Sequence, residues 1–197
     1  MPRVLPVVVL LLAVGCARPP RPAPFAPRAL ARTDALLPAP LALQPLATDS
    51  FVVTNSTRIV IPNGASAEVQ RIARELSAML APAAALGVTR LAPGAAAPSA
   101  SILLSVAPDT LGDEGYTLDA GAGGVVLRGG SEAGLFHATQ SLRLLLPHAV
   151  EHRAATARRL VVPGVRIIDR PRYAWRGAML DVARHFLPVD DVKRFVD

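Results

Sequence analysis

From Leu36 onward the chain alternates between short β-branched apolar runs and stretches whose apolar residues recur every three or four positions. Phe51-Val52-Val53 and Thr57 to Ile61, bounded by Asn55 and by Pro62-Asn63-Gly64, predict two short strands joined by a turn. Val69, Ile72, Ala73, Leu76, Met79 and Leu80 then form a single apolar stripe at helical spacing. Ser66 suits its N-cap, Glu68 its first turn, and Pro82 and Gly87 stop it. After a loop rich in Ala, Pro and Gly, Ser101 to Val106 predicts a third strand. Tyr116 to Asp119 and Val125 to Leu127 predict a hairpin about Gly121-Ala122-Gly123-Gly124. Ser131-Glu132 opens a second helix whose Leu135, Phe136, Leu142, Leu145 and Leu146 share one side and which ends at Pro147. Residues 36–147 therefore predict an α+β fold, a sheet backed by two helices on one face. No sequence repeat is visible.

The last stretch differs in kind. Val165 to Asp169 leads to a strand-like run, Trp175 to Asp181, and then to Leu187-Pro188-Val189-Asp190-Asp191-Val192-Lys193-Arg194-Phe195. Pro188 fits a first helical position, Asp190 and Asp191 suit the positive end of the helix dipole, and Val189, Val192, Phe195 and Val196 make a stripe. Strand, loop and helix form one β/α unit. A strand without neighbours is not stable alone, and 197 residues fall short of the roughly 250 of an eight-stranded α/β barrel. The expectation is the front end of a longer polypeptide.

The first residues read as a targeting signal. Arg3 is followed by an apolar run, Val4 to Val14, too short for a membrane helix of about 20 residues. It ends in Ala13-Val14-Gly15-Cys16, which resembles the lipobox of bacterial lipoproteins, with Leu12 one place early. Small residues let a signal peptidase close on the backbone, and the Cys16 thiol accepts a diacylglycerol. A plain cleaved signal is the alternative. Either way the product is exported, as a periplasmic or membrane-anchored lipoprotein, and a chain with one cysteine forms no internal disulfide. Residues 17–35 hold five Pro and four Arg, a composition that cannot build a core and reads as a tether. The expected divisions are 1–16 signal, 17–35 tether, 36–164 α+β domain and 165–197 the start of a further domain.

Charge changes little in this picture. The formal net charge is +6, but the basic residues are scattered and aromatic content is 4%, which leaves no stripe and no stacking platform for nucleic acid. His148 and His152 have the i, i+4 spacing of a helical metal pair, yet Pro147 precedes them and no third ligand is near, so no metal and no cofactor are implied. Asp113-Glu114 precedes a strand and reads as a solvated turn.

The string Asp169-Arg170-Pro171-Arg172-Tyr173-Ala174-Trp175-Arg176-Gly177-Ala178-Met179-Leu180-Asp181-Val182-Ala183-Arg184-His185-Phe186 resembles the opening of the catalytic barrel in glycoside hydrolase family 20, the β-N-acetylhexosaminidases. Gly112-Asp113-Glu114-Gly115-Tyr116-Thr117-Leu118 and Ala133-Gly134-Leu135-Phe136-His137-Ala138-Thr139-Gln140-Ser141-Leu142 are similar to the small α+β domain that precedes that barrel. The resemblance implies an α+β domain followed by the incomplete start of a (β/α)8 barrel. It also implies hydrolysis of terminal β-linked N-acetylhexosamine with retention, the substrate's own acetamido carbonyl acting as nucleophile. An Asp would orient that group while an adjacent Glu, its pKa raised by burial near a second carboxylate, protonates the leaving oxygen. That pair has no counterpart in this chain, so the chain alone is expected to be inactive.

By position, Arg176 matches an Arg that hydrogen-bonds ring hydroxyls, a task suited to the fixed donor fork of a guanidinium; pairing with a carboxylate is the alternative. Asp181, Arg184 and His185 lie at the carboxyl end of the strand-like run, where barrel sites gather, and could instead brace the loop through an ion pair. Tyr173 and Trp175 could stack on sugar rings or pack between domains. The expected partners are an N-acetylhexosamine-terminated glycan (from chitin, peptidoglycan or glycoconjugates) and a membrane reached through the lipid on Cys16. A non-catalytic surface lipoprotein that mediates packing or protein contact is the second reading.

Overall fold

The structure, a computed structural model, describes residues 36–81, 84–108, 110–151 and 160–196. The export segment, the tether and His152 lie outside them.

Seven strands form one mixed sheet: β1 (Ala42–Val53), β2 (Arg58–Pro62), β3 (Gly87–Leu91), β4 (Ser101–Val106), β5 (Tyr116–Gly121), β6 (Gly124–Gly129) and β7 (Leu160–Asp169), in the order β1-β7-β5-β6-β4-β2-β3. Among the described residues three α-helices accompany it: α1 (Ala67–Leu80), α2 (Glu132–Leu145) and α3 (Val189–Val196). The β2–β3, β2–β4 and β4–β6 pairs are parallel, while β5–β6, β5–β7 and β1–β7 are antiparallel.

Alternation along β5 decides which side is core: Tyr116, Leu118 and Ala120 are buried, whereas Thr117 and Asp119 are only partly so. The buried side carries both α1 and α2, which also touch each other, so the expected sheet with two helices on one face is the observed architecture. The stripe of α1 enters the core through Val69, Ile72, Ala73, Leu76 and Leu80, with Met79 partly buried. The Ser66 side chain accepts from Val69 N at 3.2 Å, capping α1, and its hydroxyl donates to Glu132 Oε1 of α2 at 3.0 Å. One capping serine thus ties the two helices together.

One local expectation is refined and three are corrected. Phe51–Val53 and Thr57–Ile61 form strands joined by a turn, but β1 pairs with β7 and β2 with β3 and β4, so the two lie apart in the sheet. Strand β3 was not expected; Gly87-Val88-Thr89-Arg90-Leu91 is an exposed edge, and its only apolar signal is weak. Phe136 is 36% exposed and does not join Leu135 in the core, because its position on α2 faces away from the sheet. Trp175–Asp181 forms no strand among the described residues. Most of its side chains are exposed, Trp175 at 89%, as expected of a strand sequence with no neighbour to supply ladder hydrogen bonds.

The division expected at 164/165 falls inside β7. This strand runs between β1 and β5, pairing Ile168 with Ala42 and with Thr117, so Val165–Asp169 belongs to the sheet. Chain leaves the sheet only at Arg170. Helix α3 follows Pro188 as the dipole and stripe arguments predict, with Asp191 N and Val192 N bonded to Pro188 O. Val189, Phe195 and Val196 on it are exposed.

Candidate functional site

The segment that leaves β7 folds back over the carboxyl end of that strand, and two networks hold it there. The first centres on Asp169. Its Oδ1 accepts from Leu41 N and its Oδ2 from the Tyr116 hydroxyl, both at 3.0 Å, while Ser141 Oγ of α2 lies 2.6 Å from the same phenol oxygen. Since the phenol has one hydrogen, given to Asp169, Ser141 donates to Tyr116. Burial pushes the Tyr116 phenol well above its ordinary pKa, with Asp169 adding to the rise, so it stays a neutral donor. One node therefore joins β5, α2, the carboxyl end of β7 and the segment that leads into β1.

The second network centres on Glu114. Gly112, at φ +85°, turns the chain, and Gly115 N closes that turn on Gly112 O at 3.0 Å. The turn is docked on the start of α2. Ser131, the N-cap, accepts from Ala133 N and donates to Asp113 O at 2.8 Å, and Gly134 N donates to Asp113 O at 3.2 Å. Held this way, Glu114 faces Arg176: Nη2 donates to Oε1 at 2.5 Å and Nη1 to Oε2 at 3.2 Å, a two-pronged pair. Arg176 Nη1 also donates to Tyr173 O, and His137 Nε2 of α2 lies 3.4 Å from Glu114 Oε1. The Arg176 guanidinium, and His137 after it, hold the Glu114 carboxyl below its usual pKa.

Between the two networks a cleft of about 440 Å³ opens, walled by Leu36–Leu41, by Gln140 and Leu144 of α2, and by Tyr173. Among the described residues no group of His, Cys, Asp and Glu could hold a metal ion.

Of the residues expected at a sugar site, Arg176 thus takes the carboxylate-paired role, though half-exposed rather than buried. Asp181 and Arg184 form the expected ion pair, Nε to Oδ2 at 2.5 Å, and Asp181 Oδ1 accepts from Ala183 N and Arg184 N, which lowers its pKa and closes a tight turn. His185 is exposed beside them. The Arg184 side chain is 86% exposed. His148 sits in a 3-10 turn, His148–Glu151. Glu114, read from sequence as a solvated turn, is the residue that reasoning missed. The signal lay in its motif, Gly112 to Leu118, standing apart from the motif of α2 that it docks against.

Residues 33–170 match the family model of glycosyl hydrolase family 20, domain 2, and residues 173–197 that of the family's catalytic domain. The two matches meet where the chain leaves β7. A β-hexosaminidase of Porphyromonas gingivalis is 36% identical over 165 residues, 82% of this chain and 20% of that protein. The GH20 β-N-acetylhexosaminidase of Streptomyces coelicolor A3(2) superposes with a TM-score of 0.73 at 41% identity, over 83% of this chain and 32% of that structure. A mutant Streptomyces plicatus β-hexosaminidase in complex with its product GlcNAc gives 0.72 at 41% identity, over 88% of this chain and 33% of that one. The chain spans about a fifth of the curated relative and a third of the solved structures. With an α+β sheet matched over residues 33–170 and the opening of the barrel domain behind it, the chain belongs to glycosyl hydrolase family 20.

Proposed function

We propose that this chain is the front portion of an exported, lipid-anchored β-N-acetylhexosaminidase that removes terminal β-linked N-acetylhexosamine. The observation that carries the reading is the catalytic-domain match over residues 173–197, which begins where the described chain leaves the small domain. The acetamido-directing Asp and its neighbouring Glu acid belong, on this reading, to barrel strands beyond the β/α unit. The substrates are glycans ending in N-acetylhexosamine, from chitin, peptidoglycan or glycoconjugates.

Within this chain the residues divide by position. Arg176, at the position of the family's ring-hydroxyl ligand, is the residue for sugar contact, and in this chain its donor fork meets Glu114. Arg184, at the carboxyl end of the segment, where barrel sites gather, is largely exposed and braces the loop with Asp181. Asp181 accepts from the Arg184 Nε, which fixes the plane of that guanidinium. His185 supports the same loop. Anchoring through Cys16 would keep the domain at a membrane surface, with residues 17–35 as the spacer.

The test is steady-state hydrolysis of 4-nitrophenyl N-acetyl-β-glucosaminide by the polypeptide encoded by the whole reading frame. Turnover, with Arg176→Lys raising KM more than Arg184→Lys does, supports the assignment. A folded protein without turnover defeats it in favour of a non-catalytic surface role.

A further inference from the structure

We infer that Asp169 is a positioning residue: its carboxylate fixes the corner at which the chain passes from the small domain into the catalytic domain, and so the approach to Arg176. The catalytic half of this statement rests on the function proposed above; the hydrogen-bonded corner does not.

Three observations carry it. Asp169 ends β7, one position before the domain 2 match ends at residue 170, and the catalytic-domain match opens at residue 173. It stands directly opposite Tyr116 of β5, and strand alternation puts its side chain on the face of the buried Ile167, the core side of the sheet. A carboxylate in such a place is costly unless its oxygens are hydrogen-bonded, and an apolar side chain would serve stability as well. What the carboxylate adds is geometry. Each oxygen takes a different donor: Oδ1 the amide of Leu41, where the chain enters β1, and Oδ2 the phenol of Tyr116, which Ser141 of α2 holds in turn. Strands β1 and β5 flank β7, so the exit is pinned from both neighbours and from the helix behind them. The connection that follows has little slack. From Arg170 to Arg176 it contains Pro171 and no glycine. The proline ring fixes its own φ and disfavours helical conformations at Arg170. A shift at Asp169 is therefore carried forward to Arg176 rather than absorbed on the way.

The corner and its consequence are tested separately. In the 197-residue chain, Asp169→Ala is expected to speed amide exchange at Leu41 about ten-fold and to lower the folding constant in urea titration at least about five-fold. Tyr116→Phe added to it should cost less than Tyr116→Phe alone, because the two share a bond. Asp169→Asn should recover most of both readouts, since its amide oxygen can take Leu41 N while its NH2 donates to the phenol oxygen. In the polypeptide of the whole reading frame, Asp169→Ala should raise KM for the chromogenic glucosaminide about ten-fold with a smaller change in kcat, since misplacement of a binding group by even an ångström is costly. Asp169→Asn should restore that KM. Ser66→Ala, which uncaps α1 at a comparable cost in stability, should leave KM where it was. Leu41 exchange unchanged in Asp169→Ala, or costs that simply multiply in the double variant, would overturn the corner. An unaltered KM in Asp169→Ala, or one raised equally by Ser66→Ala, would overturn the positioning role. Absence of turnover in the unsubstituted protein would defeat the hexosaminidase reading and the catalytic half with it, the exchange and urea arms still deciding the corner.

Discussion

Gly134 of α2 lies so close to Gly115 that a Cβ built on it would stand 2.1 Å from the Gly115 carbonyl oxygen. The approach is backbone against backbone, so no side chain can yield. It lets Gly134 N reach Asp113 O and keeps the Glu114 turn on the helix. Gly134→Ala should therefore destabilise the chain by about 1–3 kcal/mol and lower the melting temperature by roughly 3–10 °C. Calorimetry checks this, and an unshifted melt would show that the turn moves aside freely.

Tyr116→Phe deletes the bond that the phenol gives to Asp169 and the one it takes from Ser141. The expected loss is about 1 kcal/mol, a fall of about 3 °C in Tm. The pH dependence has a definite sign. Burial raises the phenol pKa in the folded state, so its contribution is complete below the unfolded value near 10 and is lost as pH climbs from there through the raised folded value. Between pH 8 and 11 the wild type should lose more stability than Tyr116→Phe, measured by urea titration at each pH.

Glu114 gives the opposite sign. Its folded pKa is depressed by Arg176 and then by His137, so the ion pair is complete above the ordinary glutamate value of about 4.3 and fails as pH falls through the depressed one. Arg170, Arg172 and Asp113 line the space around it. The fluorescence anisotropy of Trp175, which adjoins Arg176, should hold steady from pH 7 to 5 and drop below that, and Glu114→Gln should remove the step. A step that persists in Glu114→Gln would contradict the assignment.

Cys16 tests the proposed anchor independently of any chemistry. Expressed in a bacterium, the wild type should partition into the detergent phase and incorporate labelled palmitate, while Cys16→Ser should remain in the aqueous phase. Partition of both into the aqueous phase would leave a plain cleaved signal.

Much of the small domain was legible because its elements announce themselves locally. Ser66 and Ser131 cap the helices they were expected to cap, and the glycine-rich turn closes β5 on β6. What escaped was non-local. Nothing near Phe51 says that β1 pairs with β7, more than a hundred residues on, and the polar edge strand β3 has no alternation to read. The run Trp175–Asp181 has the residues of a strand and lacks the neighbours. The site was half legible for the same reason. The resemblance marked Glu114 and Arg176 as members of two separate motifs, and only the fold shows that they meet.

The central claim is family 20 chemistry, and the configuration of the first product tests it most directly. Proton NMR of 4-nitrophenyl N-acetyl-β-glucosaminide hydrolysis by the polypeptide of the whole reading frame should show β-N-acetylglucosamine released first, with the α anomer growing only by mutarotation. Initial release of the α anomer, or a folded protein that releases neither, would contradict the account.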